Sequence, residues 1–222
     1  MPFQNAEASI LRYNQLCLHY NLVADAVYQK RQQTSYLFDE QYQPYLTAGL
    51  LAFDMGRMMG SGTHSRYDVR EGGFATRLHE VLQRVSPILE PYTKVTLAEV
   101  ELATHSTSLE QAYNILTQLG PQEKQFHVGA TKILHFINPE LYPIIDSNAA
   151  RFFREKLGIP FRTTTQPGYS AKMYLLSMQK LKELILEYGL ERFRQLEPGT
   201  PLLRIVDKVA FVSGGMQAVE TA

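Results

Sequence analysis

The architecture of the chain follows from the stretch His127-Val-Gly-Ala-Thr-Lys-Ile-Leu-His-Phe-Ile-Asn-Pro-Glu-Leu-Tyr-Pro-Ile-Ile-Asp146. Its first half, Val128 to Ile137, carries a strongly apolar side at helical spacing and predicts a helix. Asn138-Pro139-Glu140 predicts a turn, because asparagine caps helices and proline suits a first helical position. Asp146 lies where the N-cap of a further helix belongs. This succession of helix, turn and helix is typical of an all-α protein.

Helical signals continue on both sides of this stretch. Two capping boxes, Thr96–Glu99 and Thr107–Glu110, each predict a helix start, and alternating strand patterns are nearly absent. We therefore predict a single all-α domain over residues 1–222 with about eight to nine helices. A division into two lobes, if there is one, falls in the glycine-rich segment 56–73. The main predicted helices are Ala6 to about Arg31, one that follows Pro44, Phe74–Leu89, Gln122–Ile137, Ser147–Leu157, Tyr169–Tyr188 and Leu202–Val212.

Composition excludes several classes of protein. The chain has 22 basic and 22 acidic residues, so it has no overall attraction for phosphate backbones, and nucleic-acid contacts must come from local patches. Cys17 is the only cysteine, which excludes an intrachain disulfide and a cysteine-rich zinc site; we expect it buried on a helix. We predict no metal or cofactor. No secretory signal and no apolar run of about 18 residues is present, which predicts a cytoplasmic protein without a membrane partner.

Lys132 and Asp146 allow two interpretations. In the structural one, Asp146 caps the helix that follows and contributes about 0.5–2 kcal/mol, while Lys132 extends its charge out of an apolar helix. In the functional one, Lys132 is a nucleophilic amine and Asp146 stabilises developing positive charge.

Gly129-Ala-Thr-Lys-Ile-Leu134 followed by Ile144-Ile-Asp-Ser-Asn148 resembles the helix-hairpin-helix DNA glycosylases, over about a tenth of the chain. The resemblance implies an all-α enzyme that flips a damaged base and attacks its sugar with a lysine, or an activated water, beside an aspartate. By position it implies Asp146 as the catalytic aspartate, Lys132 as the nucleophile and Gly129 in the hairpin. The family's hairpin has a proline and two closely spaced glycines, whereas this chain has one glycine.

The segment Gly56–Gly73 is rich in glycine and arginine. Glycines let backbone amides approach an anion, and arginine forks suit phosphate or carboxylate. The alternative is a plain connection whose arginines pair with surface acids. The predicted anion-binding residues are Arg57, His64, Arg66, Tyr67 and Arg70.

Other polar residues suggest no site. The six histidines include no His-x-x-x-His pair, and we interpret His127 and His135 as helix-face residues rather than ligands. Arg204 and Asp207, three apart in the last predicted helix, predict an exposed ion pair of little energetic value.

The leading interpretation is a cytosolic helical binding domain whose partner is nucleic acid or another anionic ligand. It would bind through the 56–73 segment and the region where the helices that carry Lys132 and Asp146 meet. One alternative is a base-excision-type DNA glycosylase/lyase in which Lys132 is the nucleophile. Another is a structural subunit or homo-oligomer with an apolar patch on its first helix as the interface.

Overall fold

The computed structural model describes residues 2–52, 74–120, 125–162 and 168–215. These ranges contain no β-strand and ten α-helices, nine of them seven residues or longer. The predicted all-α class is confirmed, with a helix number close to the prediction. The helices are α1 (Ala6–Leu16), α2 (Leu18–Gln32), α3 (Gln43–Leu50), α4 (Phe74–Leu89), α5 (Leu102–Thr117), α6 (His127–Ile137), α7 (Ser147–Leu157), α8 (Ala171–Tyr188), α9 (Leu190–Arg194) and α10 (Leu202–Gly215), with a 3₁₀ turn at Glu90–Tyr92.

Helices α6 and α10 are the most enclosed. Every residue from Gly129 to Ile137 on α6 is buried, as is every residue from Leu202 to Ala210 on α10. Buried side chains from all ten helices join one hydrophobic core around them. Polar residues on these two helices, Lys132 and Asp207 among them, therefore lie inside the protein. Within the described ranges, no helix has both the length and the apolar character that a membrane span requires.

Local chemistry sets several helix ends where the sequence predicts them. Gly158 follows α7 with φ 66°, and Gly189 follows α8 with φ 92°, conformations that favour glycine. The predicted turn after α6 is also present. There the Asn138 side chain donates to the carbonyls of Tyr92 and Val95 at 2.7 and 2.8 Å, which fixes the turn to the segment after α4.

The predicted single helix from Ala6 to Arg31 is wrong. Cys17 has φ −122° and ψ 33°, which separates α1 from α2. The two halves pack against different partners, α1 against α10 and α2 against α3 and α6. A straight helix could not reach both, so the chain bends at Cys17, which is buried there as expected.

The prediction that each capping box starts a helix is wrong. Glu99 accepts from the backbone N–H and the hydroxyl of Thr96, but the box closes only a turn, and α5 begins at Leu102. Thr107 lies inside α5. The helix predicted from Gln122 begins at His127 in the described residues.

Candidate functional site

Asp146 caps the N-terminus of α7. Its backbone is extended, with φ −97° and ψ −170°, and its Oδ1 accepts the N–H groups of Asn148 and Ala149 at 3.0 and 2.9 Å. The predicted cap is thus confirmed. Both bonds end on one oxygen of a partly exposed side chain, so capping leaves Oδ2 available for another role.

Lys132 lies within the core, on α6. The residue is 5% exposed, so the expectation that it extends its charge into solvent is wrong. Its neighbour Thr131 ties α6 to the segment that leads into α7, because the Thr131 hydroxyl accepts the N–H of Ile145 at 3.1 Å. The residue before Lys132 is therefore hydrogen-bonded to the residue before Asp146. This contact brings the backbone at the two predicted site residues together.

Asp207 on α10 adds a second carboxylate to this region. Burial raises the pKa of Asp207 to about 6, and the negative charge of Asp146 adds to the rise. The positive charges of Arg204 and Lys132 oppose it. Lys132 and Asp146 thus both act on one buried acid, which places the three charges in a common electrostatic neighbourhood.

Arg204 holds Asp207 in place, and the predicted exposed pair is wrong. The two side chains are 2% and 7% exposed, and Nη1 of Arg204 donates to Asp207. Nη2 of Arg204 donates to the Tyr13 hydroxyl at 2.9 Å and to Oδ1 of Asn21 at 3.0 Å. Helices α1 and α2 cover this side of α10 and supply neutral hydrogen-bond partners, which a spacing of three residues does not reveal.

A second ion pair, between buried Lys208 and partly exposed Glu197, continues the network toward the surface. Lys208 donates to both carboxylate oxygens of Glu197 at 2.7 Å. Asn14 also donates to Glu197 at 2.7 Å, and Asn21 donates to Asn14 at 2.8 Å. The polar positions of α10 are thus satisfied by α1, α2 and the loop before α10.

A group of aromatic rings lies near Asp146, and two of them, His127 and Tyr169, are partly exposed. Burial, and then the Asp146 charge, raise the pKa of Tyr169. The Tyr169 ring is 5.9 Å from the His127 ring and 6.1 Å from the Phe161 ring, centroid to centroid. The Tyr113 hydroxyl is 3.0 Å from Nδ1 of His127, and burial lowers the pKa of His127. We call Tyr113, His127, Phe161 and Tyr169 the aromatic group.

His135 on α6 has a structural role. It is fully enclosed, with Nδ1 2.7 Å from the carbonyl oxygen of Tyr142 and Nε2 2.7 Å from the Tyr28 hydroxyl. Burial lowers its pKa to about 3, so the ring is neutral. Since the carbonyl can only accept, Nδ1 carries the proton and Nε2 accepts from Tyr28.

Gly129 is the third residue of α6. It lies in the first turn of the helix rather than in the connection from α5, and α5 and α6 pack against each other. A Cβ at this position would lie 1.8 Å from the Phe126 ring. Glycine is thus required for Phe126 to pack across the start of α6.

The predicted anion-binding residues Arg57, His64, Arg66, Tyr67 and Arg70 all fall in 53–73, outside the described residues. Anion binding there stays a prediction. Among the residues that are described, no three His, Cys, Asp or Glu side chains are grouped so that they could hold a metal ion.

Comparisons of the chain with models of protein families, with curated proteins and with solved structures find no match. The case for the site therefore depends on the Thr131–Ile145 hydrogen bond and on the charges that act on Asp207. The sequence predicted Lys132 and Asp146 as site residues and did not point to Asp207. The signal for Asp207 was a polar stripe, Arg204, Asp207 and Lys208, on an otherwise apolar helix.

Proposed function

We propose that this chain acts on nucleic acid as a base-excision-type glycosylase/lyase, with Lys132 as nucleophile and Asp146 as the charge-stabilising acid. The observation that carries the proposal is the hydrogen bond between Ile145 and Thr131, because it joins the backbone beside Asp146 to the backbone beside Lys132. The free Oδ2 of Asp146 supports it, since a carboxylate wholly used in capping has no oxygen left for a substrate.

The chemistry needs an amine and a carboxylate on the same sugar. The Lys132 amine forms a bond to C1′ while the bond from C1′ to the base breaks, and the base leaves with the electron pair and takes a proton from the amine. Positive charge develops on the sugar as the base departs, and Asp146 stabilises that charge. On an abasic sugar the same amine attacks the aldehyde carbon, water leaves, and an imine forms.

The surroundings of the two residues suit this chemistry. Lys132 is shielded from solvent, and an amine is nucleophilic in its neutral form. Low local polarity also strengthens the interaction between a carboxylate and a developing cation. Asp207, fixed by Arg204, supplies a second acid in the same field.

Two features supply contacts to nucleic acid. His127 and Tyr169 of the aromatic group are partly exposed beside Asp146, and such rings stack on unpaired bases. The arginines predicted to bind anions in the 56–73 segment would contact phosphates, which a chain of zero formal charge must do through a local patch.

Borohydride trapping on a duplex with one abasic site tests the proposal. Borohydride delivers a hydride to the imine and leaves a stable amine bond between protein and DNA. We expect an adduct with the wild-type chain and none with Lys132→Gln. Lys180→Gln is the matched control, because Lys180 is an exposed lysine paired with Glu183 at 2.8 Å, and its adduct should equal that of the wild type.

Lys132→Arg provides a second variant, since arginine keeps the charge but cannot form the imine. Circular dichroism establishes that each variant is folded. An absence of adduct with the wild-type chain contradicts the proposal, as does an undiminished adduct with folded Lys132→Gln or Lys132→Arg.

Two other outcomes point to the alternative functions. Salt-sensitive DNA binding without an adduct, weakened by Arg66→Ala, supports a binding domain that does no chemistry. A stable dimer in light scattering, without either activity, supports a structural subunit. An observation favours that last function as the second candidate, since four leucines of α1 and α2 are 54–63% exposed: Leu11, Leu16, Leu18 and Leu22.

A further inference from the structure

A cavity of about 550 Å³ lies where the end of α2, the 3₁₀ turn and the C-terminal end of α6 meet. Its volume falls in the range of about 300–1,000 Å³ that is usual for small-molecule sites. Neither Lys132 nor Asp146 lines it, so it is separate from the site described above. The lining residues that matter here are Arg31, Lys94, Phe136, Ile137, Pro139 and Glu140.

Arg31 is the main polar feature of the cavity. Its Nη1 donates to the carbonyl oxygen of Thr34 at 2.9 Å, and its guanidinium lies 6.0 Å from the centre of the Tyr42 ring. These contacts fix the orientation of the group. Its Nε is buried and has no hydrogen-bond partner among the described residues, and a buried charged donor without an acceptor is costly.

An oxyanion is the ligand type that a guanidinium binds best, because its N–H groups donate charge-assisted hydrogen bonds to carboxylate or phosphate. Nη1 of Arg31 is used by Thr34, and its Nε is closed to solvent. Nη2 is therefore the nitrogen of Arg31 that can donate to a ligand in the cavity.

The charge of the cavity favours an anion. Of its lining residues, Arg31 and Lys94 are basic and Glu140 is acidic. Lys94 is exposed and forms no ion pair with any described residue. Glu140 is already paired with Arg194 at 3.0 Å and accepts the N–H of Leu202 at 3.3 Å. Two positive charges therefore remain for a ligand.

Apart from Gln32 and Ser35, the rest of the wall is apolar or already hydrogen-bonded. The Thr34 and Thr93 hydroxyls donate to backbone carbonyls, and the Asn138 amide donates to two more. Phe136 and Ile137 give the cavity an apolar side. This combination suits a molecule with one charged group and an apolar body, rather than a free inorganic ion.

We propose that this cavity binds a small organic oxyanion, a carboxylate or a phosphate monoester, through Arg31 and Lys94. The proposal goes beyond the glycosylase/lyase function and does not depend on it, because the two sites share no residue. Failure of one therefore leaves the other standing.

Calorimetric titration with three probes tests the proposal: benzoate, phenyl phosphate and inorganic phosphate, each at constant ionic strength set with chloride. We expect saturable binding of benzoate or phenyl phosphate, and the comparison of the two identifies the preferred oxyanion. Arg31→Lys and Lys94→Gln should each weaken binding by about ten-fold or more, the usual effect of losing a charge-assisted hydrogen bond. Arg192→Lys should not, because Arg192 lies over Tyr188, outside the cavity.

Two results would overturn the proposal. One is a wild-type chain that shows no saturable binding of either organic probe at millimolar concentration. The other is binding that Lys94→Gln and Arg31→Lys both leave unchanged. Since Lys94 is exposed and unpaired among the described residues, its replacement keeps the test valid even if Arg31→Lys does not fold.

Discussion

Arg204 and Asp207 form an ion pair inside the protein, between side chains that are 2% and 7% exposed. Both lie on α10, and Arg204 is held from α1 and α2 by Tyr13 and Asn21. A buried ion pair stabilises a protein little more than apolar side chains would in place of both partners. Removal of one partner, however, leaves an uncompensated charge in the core. The pair therefore makes folding depend on keeping both residues.

Asp207→Asn should lower the free energy of unfolding by about 3–5 kcal/mol, because it breaks a buried ion pair and leaves the charged Arg204 in the core without the carboxylate of Asp207. Urea unfolding measures the change. Glu183→Gln is the matched control: it removes one partner of an exposed pair with Lys180 and should cost less than about 1 kcal/mol. Equal costs for the two variants would show that the Arg204–Asp207 pair is not buried in solution.

The sequence predicts helix bounds well where the end of a helix depends on its nearest neighbours. The predicted bounds Ser147–Leu157 match α7 to the residue, and the predicted end at Leu89 matches the end of α4. For α7 the reason is visible, since Asp146 caps one end and Gly158 takes a left-handed conformation at the other. Both signals act within a few residues, so no tertiary information is needed.

Prediction fails where the deciding partner is distant in sequence. Cys17 ends α1 because α1 and α2 pack on different helices. The residues around Cys17 carry no sequence signal for a helix end. Likewise, Arg204 and Asp207 occupy a polar stripe that is typical of a solvent-exposed face. Tyr13 and Asn21, more than 180 residues away, bury it. Asp207 was missed as a member of the candidate site for this reason.

His135 should make stability depend on pH. Its pKa is about 3 in the folded protein and about 6.5 in an unfolded chain. Between these values the unfolded state binds one more proton at this histidine, so His135 contributes a fall in the free energy of unfolding of roughly 1.4 kcal/mol per pH unit as pH decreases below about 6.5. Urea unfolding at several values between pH 5 and 7.5 measures the slope.

His135→Gln should reduce the slope by roughly 1.4 kcal/mol per pH unit, the contribution of one bound proton, because glutamine does not titrate. The comparison uses the slope and not the absolute stability, since the variant also loses contacts with Tyr28 and Tyr142. His19→Gln is the control, an exposed histidine whose replacement should preserve the wild-type slope. Parallel curves for the wild type and His135→Gln would rule out a buried neutral His135.

Gly214 and Gly215 should respond differently to alanine. A Cβ at Gly214 would lie 2.1 Å from the backbone oxygen of Asn148, whereas one at Gly215 would meet only the Asn148 side chain, at 2.7 Å. The backbone cannot move aside as a side chain can. Gly214→Ala should therefore lower the free energy of unfolding by about 1–3 kcal/mol, and Gly215→Ala by less than about 1 kcal/mol. Thermal unfolding of both variants checks this, and similar costs would contradict the close approach of α10 to α7.

Asp146→Asn and Asp146→Ala separate the cap from the chemistry. Asparagine keeps an oxygen for the N–H groups of Asn148 and Ala149. The free energy of unfolding of Asp146→Asn should therefore lie within about 0.5 kcal/mol of the wild-type value. Asp146→Ala loses the cap and should be less stable by about 0.5–2 kcal/mol. Stability is measured by urea unfolding, and function by borohydride trapping on the abasic duplex.

Trapping should be impaired in both Asp146 variants, because neither supplies a negative charge beside the iminium cation that forms when the amine and the aldehyde lose water. A stable Asp146→Asn with a strongly reduced adduct would assign Asp146 a role beyond its cap, since its folding is intact and only its charge is missing. An Asp146→Asn variant that is trapped as fast as the wild type would contradict that role. In that case Asp146 serves α7 alone, through the oxygen that accepts from Asn148 and Ala149.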